Sequence, residues 1–550
     1  MKTLARCCSV ALMGLLMTMA PLSTASAQDK AVAIVSIAPL SKIFTDIQFA
    51  ATAAGQAEMG AIAPLMAAGY TAGMDKSKPV GIVVMTDGDN FTPLVFIPVT
   101  DLEAFLLTPE EMFGEAEDAG DGVKMMEVGF APFMMPVFFK ENNGWLFLAQ
   151  DKEKLANLPA DPAALLGDLP KDYDFAIKGN LQNVPELYRK VILEQVVAGA
   201  ESALIQEPGE SDEDFAKRKG LVQVQLKQLE RVFEEFVDMT LGFNVDPAAK
   251  EIYLDIHYSV VPGSQMAEQL ALNKDLTSDF SGFINEDAAV SLNMTVKAGE
   301  QDIAMAIEQV NALREVSVDS LEVPEEHEEA VSKIVDLLFD SYIDTVKSGK
   351  IDFAASLSLS DQTLTFLSAI KVADGRQIED SLKELAKLVE GNPNFPGIEW
   401  NAESHKGVTF HTMSIPTPPE EEVQKVFGES LAVVIGIGED AAYLAFGEDA
   451  AGQLKAAIDQ SIADGSVPVG PAKFSIALLP IMQFVSGFED DAKVAAALAA
   501  LEGTADKIQI SGIMLENAAR TRFSIQEGAI KAIGAYTAGG EPEGGEEPGF

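Results

Sequence analysis

The sequence predicts an α+β protein whose antiparallel sheets are built from repeated units of strand, helical pair, hairpin and helix. Three observations predict this class. Apolar and polar residues alternate with a period of two in many short segments, tight turns join these segments in pairs, and longer helical segments separate the pairs. Because alternation gives each strand one apolar face, we expect helices to cover one face of the sheets.

Residues 239–264 contain the clearest of these units. Leu241 and Phe243 alternate with polar or small neighbours, and an Asp-Pro pair begins the turn because proline fixes φ and cannot extend a ladder. The returning strand over residues 251–260 alternates in the same way, and a Pro-Gly pair ends it. Ser264 is expected to cap the helix that follows.

The polar side of this returning strand carries Tyr253, Asp255 and His257. An antiparallel sheet commonly has one face on the core and one in water. We therefore expect this polar side to be solvated rather than to form an active site.

The same order of elements starts four times along the chain. The first strands of the four units are predicted at residues 31–38, 173–178, 288–297 and 473–478. Their hairpins are predicted at residues 80–99, 239–260, 351–371 and 507–526. Units one and three add further strands within residues 122–149 and 408–446. An acidic loop is expected at residues 115–121.

These repeats predict the organisation of the whole chain as duplications of a small α+β domain. The predicted segments are a signal peptide at residues 1–27, units at 28–165, 166–285 and 286–468, a truncated unit at 469–537, and a disordered acidic tail at 538–550.

The N-terminal residues predict export. Lys2 and Arg6 form a basic region, residues 7–22 are apolar, and a small-x-small pattern ends at Ala27. This is the layout of a secretory signal peptide, so we expect cleavage before Gln28 and a periplasmic or extracellular protein.

Cysteine usage and charge exclude several functions. Cys7 and Cys8 both lie in the signal segment, so the mature chain has no thiol for a disulfide, for cysteine catalysis or for a zinc site. The net charge of −46, from 85 acidic and 39 basic residues, argues against nucleic acid and anionic membrane surfaces as partners. It favours solubility and weak binding of divalent cations. No transmembrane segment is expected after signal cleavage; residues 47–74, rich in Ala and Gly, are predicted as buried helices.

Cofactor motifs are weak. Gly436 and Gly438 fit the start of a dinucleotide fingerprint, but a strand rather than a helix is predicted next, and acidic residues follow. Glu403, His405 and His411 are the nearest approach to a metal cluster. Their spacing is not helical, so we predict surface residues. We expect no cofactor.

Catalytic motifs are equally weak. The chain has four histidines, and His257 and His327 are predicted to be solvated. The Ser-x-x-Lys match at residues 368–371 lies in a predicted strand, where Ser and Lys fall on opposite faces. A hydrolase is therefore our third-ranked function.

Residues 130–139 are unusually rich in Phe and Met. Flexible methionine suits adaptable apolar surfaces, so this stretch is our candidate surface for an apolar ligand or a partner protein. The candidate residues are Phe130, Phe133, Met134, Met135, Phe138, Phe139 and Trp145. The competing interpretation is a strand buried on both faces, because Phe and Met are ordinary core residues.

The layout resembles uncharacterised exported bacterial proteins with strand–hairpin–helix repeats. The resemblance consists of the signal peptide, the opening strand AVAIVSI, and a turn into a helix at Val261-Pro262-Gly263-Ser264. It extends over most of the mature chain and implies no activity. The predicted function is non-enzymatic, a structural or interaction protein of the periplasm or exterior that contacts an envelope protein. The alternative is a carrier that holds an apolar ligand, lipid or peptide, between sheet and helices.

Overall fold

The computed structural model describes residues 30–130, 133–206, 210–320, 328–360, 362–390, 395–488 and 491–538. Within these residues the chain is a mixed α+β protein with 15 α-helices, and its reported strand pairings are antiparallel. The predicted signal peptide, His327 and residues 539–550 lie outside the described part. The predicted α+β class with antiparallel sheets is confirmed.

The chain divides into two compact units. Unit 1 comprises Met1–Glu194 and Phe236–Ser259, and unit 2 comprises Gln195–Glu235 and Val260–Phe550.

Unit 1 contains ten strands in one antiparallel sheet. They are β1 (Lys30–Ile37), β2 (Val80–Thr86), β3 (Phe91–Pro98), β4 (Glu117–Gly120), β5 (Val123–Phe130), β6 (Phe133–Asn142), β7 (Trp145–Ala149), β8 (Phe175–Asn180), β9 (Phe236–Asp246) and β10 (Glu251–Val260). Across the sheet they lie in the order β4-β5-β6-β7-β3-β2-β1-β8-β9-β10.

Helices contact both faces of the unit 1 sheet. The helices that begin in this unit are α1 (Leu40–Ala53), α2 (Ala57–Met66), α3 (Leu102–Phe113), α4 (Leu169–Asp172) and α5 (Glu186–Ala203). Asp101 caps α3 as expected, because its Oδ1 accepts from the Ala104 N–H at 3.0 Å. Leu106 of α3 packs with Phe139 on one face. Phe96 and Phe147 form a second core on the other face.

Unit 2 also contains a ten-stranded antiparallel sheet. Its strands are β12 (Val290–Lys297), β13 (Lys350–Ser360), β14 (Thr363–Lys371), β15 (Glu399–His405), β16 (Val408–Pro416), β17 (Ser430–Ile437), β18 (Ala441–Gly447), β20 (Ala472–Ala477), β21 (Lys507–Leu515) and β22 (Ala518–Gln526). They lie in the order β15-β16-β17-β18-β14-β13-β12-β20-β21-β22. A separate pair joins β11 (Leu276–Ser278) to β19 (Val467–Val469).

Helices contact both faces of the unit 2 sheet. Its helices are α6 (Asp212–Glu235), α7 (Gln265–Leu272), α8 (Glu300–Ser320), α9 (Glu328–Lys347), α10 (Gly375–Val389), α11 (Glu421–Phe427), α12 (Ala450–Asp464), α13 (Leu478–Ser486), α14 (Ala492–Leu501) and α15 (Glu527–Ala538). Phe410 of β16 packs with Leu454 of α12. The next residue, His411, points to the opposite face and lies 3.7 Å from Glu379 of α10. Helices thus contact both faces of the sheet, whereas the sequence analysis expected helices on one face only.

Several local predictions are confirmed. The hairpin β9–β10 and α7 form where alternation and turn residues placed them. Ser264 Oγ accepts a hydrogen bond from the Ala267 N–H at 3.2 Å, so it is the helix cap. The Gly436–Gly438 motif belongs to a hairpin, because β18 rather than a helix follows β17. None of the helices within the described ranges is long and apolar enough to span a membrane.

Four strands were missed by the sequence prediction: β4, β15 and the short pair β11 and β19. β4 lies where an acidic loop was expected, and β15 was not predicted. Both lie at an edge of their sheet in the strand orders given above and both are polar, with the sequences EDAG and EWNAESH. Polar side chains on a sheet edge discourage pairing with another chain, and they also hide the apolar alternation that identifies a strand.

Candidate functional site

The burial of β9 is the reverse of what its sequence suggests. The polar residues Thr240 and Asn244 are buried, at 4% and 6% exposed. The apolar residues between and beside them remain exposed: Met239 at 48%, Leu241 at 40% and Phe243 at 40%. The apolar face of this strand therefore faces outwards.

The neighbouring strand β8 extends the same exposed surface. Phe175 pairs with Phe243, and Ile177 pairs with Leu241, so the two pairs stand side by side on one face. Phe175 is 40% exposed and Ile177 is 42% exposed. We call the surface formed by Phe175, Ile177, Met239, Leu241 and Phe243 the open face.

A row of apolar residues continues from the open face across the sheet. Ile177 is paired with Val35 of β1, Val35 with Ile82 of β2, and Ile82 with Val95 of β3. These three residues are half-buried. With Leu241, the row crosses five strands, which is about 19 Å at the usual strand spacing of ~4.8 Å.

An ion-pair network explains why the polar face of β9 is buried. Lys42 of α1 donates to Asp46 Oδ2 at 2.8 Å and to Asn244 Oδ1 at 2.9 Å, and it also donates to Asp174. Asp174 in turn accepts from the Val245 N–H at 2.8 Å. Both aspartates are buried, so the network satisfies polar groups that burial would otherwise destabilise.

Ionisation in this network is perturbed. Burial raises the pKa of Asp46 to about 6, because the ionised carboxylate loses water, although the hydrogen bond from Lys42 acts in the opposite direction. Burial alone lowers the pKa of Lys42, but hydrogen bonds to Asp174 and Asp46 offset this effect, and the net pKa is raised. Lys42 therefore remains charged.

The expectation that the polar side of β10 is solvated is wrong for Asp255. It is fully buried and accepts a hydrogen bond from the Tyr173 Oη at 3.2 Å. The Tyr173 ring lies directly on β9, where a Cβ at Gly242 would come within 2.5 Å of it. Tyr253 Oη donates to the Asp172 carbonyl at 3.3 Å. His257 is half-buried.

The candidate Phe and Met residues are divided between the two faces of the sheet. Phe139 is buried in the core under α3. Trp145 is buried in the core of the other face, and Phe138 packs against that same core. Met135 is half-buried and Met134 is exposed.

The structure thus does not bring these residues together on one open surface. The side chains of Phe130 and Phe133 lie outside the described part. An exposed apolar surface of paired residues lies instead on β8 and β9. In the sequence, this surface is indicated by the alternation of Leu241 and Phe243 with polar or small residues. Alternation shows that the two residues share a face, but not whether that face is covered.

The three possible metal ligands are held apart. Glu403 pairs with Lys455 at 2.6 Å, and His405 pairs with Asp459 at 2.9 Å. Both partners belong to α12. Across the described ranges no three His, Cys, Asp or Glu side chains are grouped so as to hold a metal ion.

His411 is fully buried, so the prediction that it lies on the surface is wrong. Its Nδ1 accepts from the Asn401 N–H at 3.0 Å, which leaves the hydrogen of a neutral ring on Nε2. Burial lowers the pKa of His411, which keeps the ring neutral. With Nδ1 occupied, this histidine is not arranged as a general base.

Cavities of about 660 and 480 Å³ lie among the described residues of unit 2. The first is lined by residues that include Glu399, Thr412 and Val434, and the second by residues that include Ser356, Thr363 and Gln460. Among the described residues that line them there is no histidine or cysteine.

Searches against protein-family models, curated proteins and solved structures found no match to this chain. Function is therefore inferred from the geometry of the chain itself.

Proposed function

We propose that this chain is an exported, acidic, non-catalytic protein that carries an uncharged, single-chain lipid on the open face of unit 1. The observation that carries the proposal is the reversed burial of β9, where Thr240 and Asn244 are buried and Leu241 and Phe243 are exposed. Large contiguous apolar patches on a protein surface commonly mark binding sites. Export is proposed from the N-terminal pattern of residues 1–27.

Covering the open face supplies apolar contact energy for binding, and burial of the ligand's own acyl chain adds to it. Full burial of a Leu, Ile, Phe or Met side chain contributes about 1.5–3 kcal/mol, so covering the exposed two-fifths of each contributes about 1 kcal/mol. The five residues together contribute about 5 kcal/mol before the entropy cost of association. The half-buried row beyond them adds to this.

The dimensions and charge favour a single uncharged acyl chain as the ligand. The five-strand row is about 19 Å long, the length scale of an extended long-chain acyl group. A second copy of this chain, or an anionic lipid, is disfavoured by repulsion from the net charge of −46.

We also propose that the chain arose by duplication, with four sequence repeats at residues 28–165, 166–285, 286–468 and 469–537. What supports this is the order of strands. Reading β12 for β1 and continuing along the chain, with β19 set aside, the strand order of unit 2 repeats that of unit 1. The repeats at residues 28–165 and 166–285 would then supply the sheet of unit 1. The repeats at residues 286–468 and 469–537 would supply the sheet of unit 2.

A fluorescence titration with N-phenylnaphthylamine, an uncharged apolar probe, tests the proposed function. Leu241→Glu places a carboxylate in the centre of the open face, where burial under a ligand is unfavourable. We expect probe binding to weaken at least ~10-fold, equivalent to about 1.4 kcal/mol.

The matched control is Leu65→Glu on α2, where the native side chain is 76% exposed and lies outside the open face. Probe binding to this variant should equal that of the wild type. Equal probe affinity of Leu241→Glu and wild type, or concentration-dependent dimerisation that Leu241→Glu abolishes, would overturn the proposal.

A further inference from the structure

Buried polar residues beside exposed apolar ones also occur in unit 2, on strands that hold the places of β1, β8 and β10 in the sheet of unit 1. The polar residues Ser291 of β12, Ser475 of β20 and Ser524 of β22 are buried. The apolar residues next to them in sequence point to the other face, where Met294 is 39% exposed and Phe523 is 38% exposed. The same kind of burial pattern thus occurs in both units, on partly corresponding strands.

The apolar residues of this second face form registered rows. Leu292 pairs with Phe474, Phe474 with Ile510, and Ile510 with Phe523. The row therefore crosses four adjacent strands, which is about 14 Å at ~4.8 Å per strand. Leu292, Phe474 and Ile510 are half-buried.

A second row runs beside the first. Val290 pairs with Ile476, Ile476 with Ile508, and Ile508 with Ile525. All four residues are half-buried. Phe523 is the exposed member of these eight apolar side chains and the other seven are half-buried. We call the two parallel rows the second face.

An ion-pair network accounts for the burial of the polar side of β12, as one does for β9 in unit 1. Thr295 donates to Asp352 Oδ1 at 3.0 Å, and Lys350 donates to Asp279 Oδ2 at 3.1 Å and lies 3.0 Å from Asp352 Oδ2. In each unit a lysine between two aspartates stabilises the polar side of the sheet, and in unit 2 Met294 and Phe523 on the apolar side are exposed.

From these observations we infer that the chain has two lipid-binding sites, one on the open face and one on the second face. The inference rests on the proposed function, because it assigns the same uncharged single-chain lipid to both. The net charge of −46 favours this ligand over a second protein copy at either face, because two copies would repel each other.

Native mass spectrometry of the full mature chain with monopalmitoylglycerol counts the bound molecules directly. Four variants are compared with the wild type: Leu241→Glu on the open face, Phe523→Glu on the second face, the double variant, and the control Leu65→Glu. We expect two lipids on the wild type and the control, one on each single variant, and none on the double variant. Circular dichroism and thermal unfolding establish that each variant is folded, and Phe523→Ser replaces Phe523→Glu if the latter is unfolded.

The results separate the two proposals. One lipid on the wild type, lost in Leu241→Glu and kept in Phe523→Glu, overturns the second site and leaves the proposed function intact. Two lipids on the folded Phe523→Glu or Phe523→Ser variant place the second molecule elsewhere and also overturn the inference. No lipid on the wild type overturns both proposals.

Discussion

The buried carboxylate of Asp46 gives unit 1 a dependence on pH that one substitution should remove. Its pKa is raised to about 6, mainly by burial, whereas that of an aspartate in an unfolded chain is about 3.9. A raised pKa favours the folded state below the unfolded value, and this contribution is lost as pH rises from about 4 to about 6. Two pH units correspond to about 3 kcal/mol.

Asp46→Asn cannot ionise, so it should not show this loss. Amide hydrogen exchange in α1, corrected for the intrinsic exchange rate, gives the free energy of local opening at each pH. Between pH 4.5 and pH 7 the wild type should lose about 2 kcal/mol more than Asp46→Asn does. Asp151→Asn, at an exposed position without a side-chain cap bond, should behave as the wild type. Equal pH dependence in wild type and Asp46→Asn would refute the reasoning.

Three further substitutions test how the elements are stabilised. Lys42→Met leaves two buried carboxylates without their cation and should destabilise α1 by about 2–4 kcal/mol. The control Lys171→Met, in an exposed ion pair, should change stability by less than about 1 kcal/mol. Amide hydrogen exchange measures the stability of both variants. Ser264→Ala removes the cap of α7 and should lower the protection of that helix by about 1 kcal/mol, and unchanged protection would contradict the capping role. Phe410→Ala should cost about 3–5 kcal/mol in denaturant unfolding of unit 2, against less than about 1 kcal/mol for exposed Leu385→Ala.

Local structure was largely predictable from the sequence because its causes are local. The turn residues and alternation of residues 239–264 fixed the hairpin β9–β10, and Ser264 marked the start of α7. The edge strands β4 and β15 were missed, because polar edge residues carry little alternation.

Which face of a strand is covered was not predictable. Alternation shows that Leu241 and Phe243 share a face, but contacts distant in sequence decide whether a helix packs there. Lys42 and Asp174 bring α1 onto the polar face of β9, and no pattern within β9 reveals this. For the same reason Asp255 was expected in water and is buried under Tyr173.

The Phe and Met stretch failed as a guide to one surface for a related reason. A strand rich in apolar residues on both sides supplies two cores at once, as Phe139 and Trp145 do on opposite faces of the sheet. Composition identified an apolar strand correctly, but it did not distinguish a strand between two cores from a strand with an open face.

Photo-crosslinking tests the central claim most directly. An uncharged long-chain lipid that carries a diazirine on its acyl chain is irradiated with the full mature chain, and the labelled peptides are identified by mass spectrometry. The proposed binding predicts adducts on β8 and β9, at Ile177, Leu241 and Phe243, that excess monopalmitoylglycerol prevents. Adducts confined to residues 133–142, or labelling that unlabelled lipid does not reduce, would contradict it.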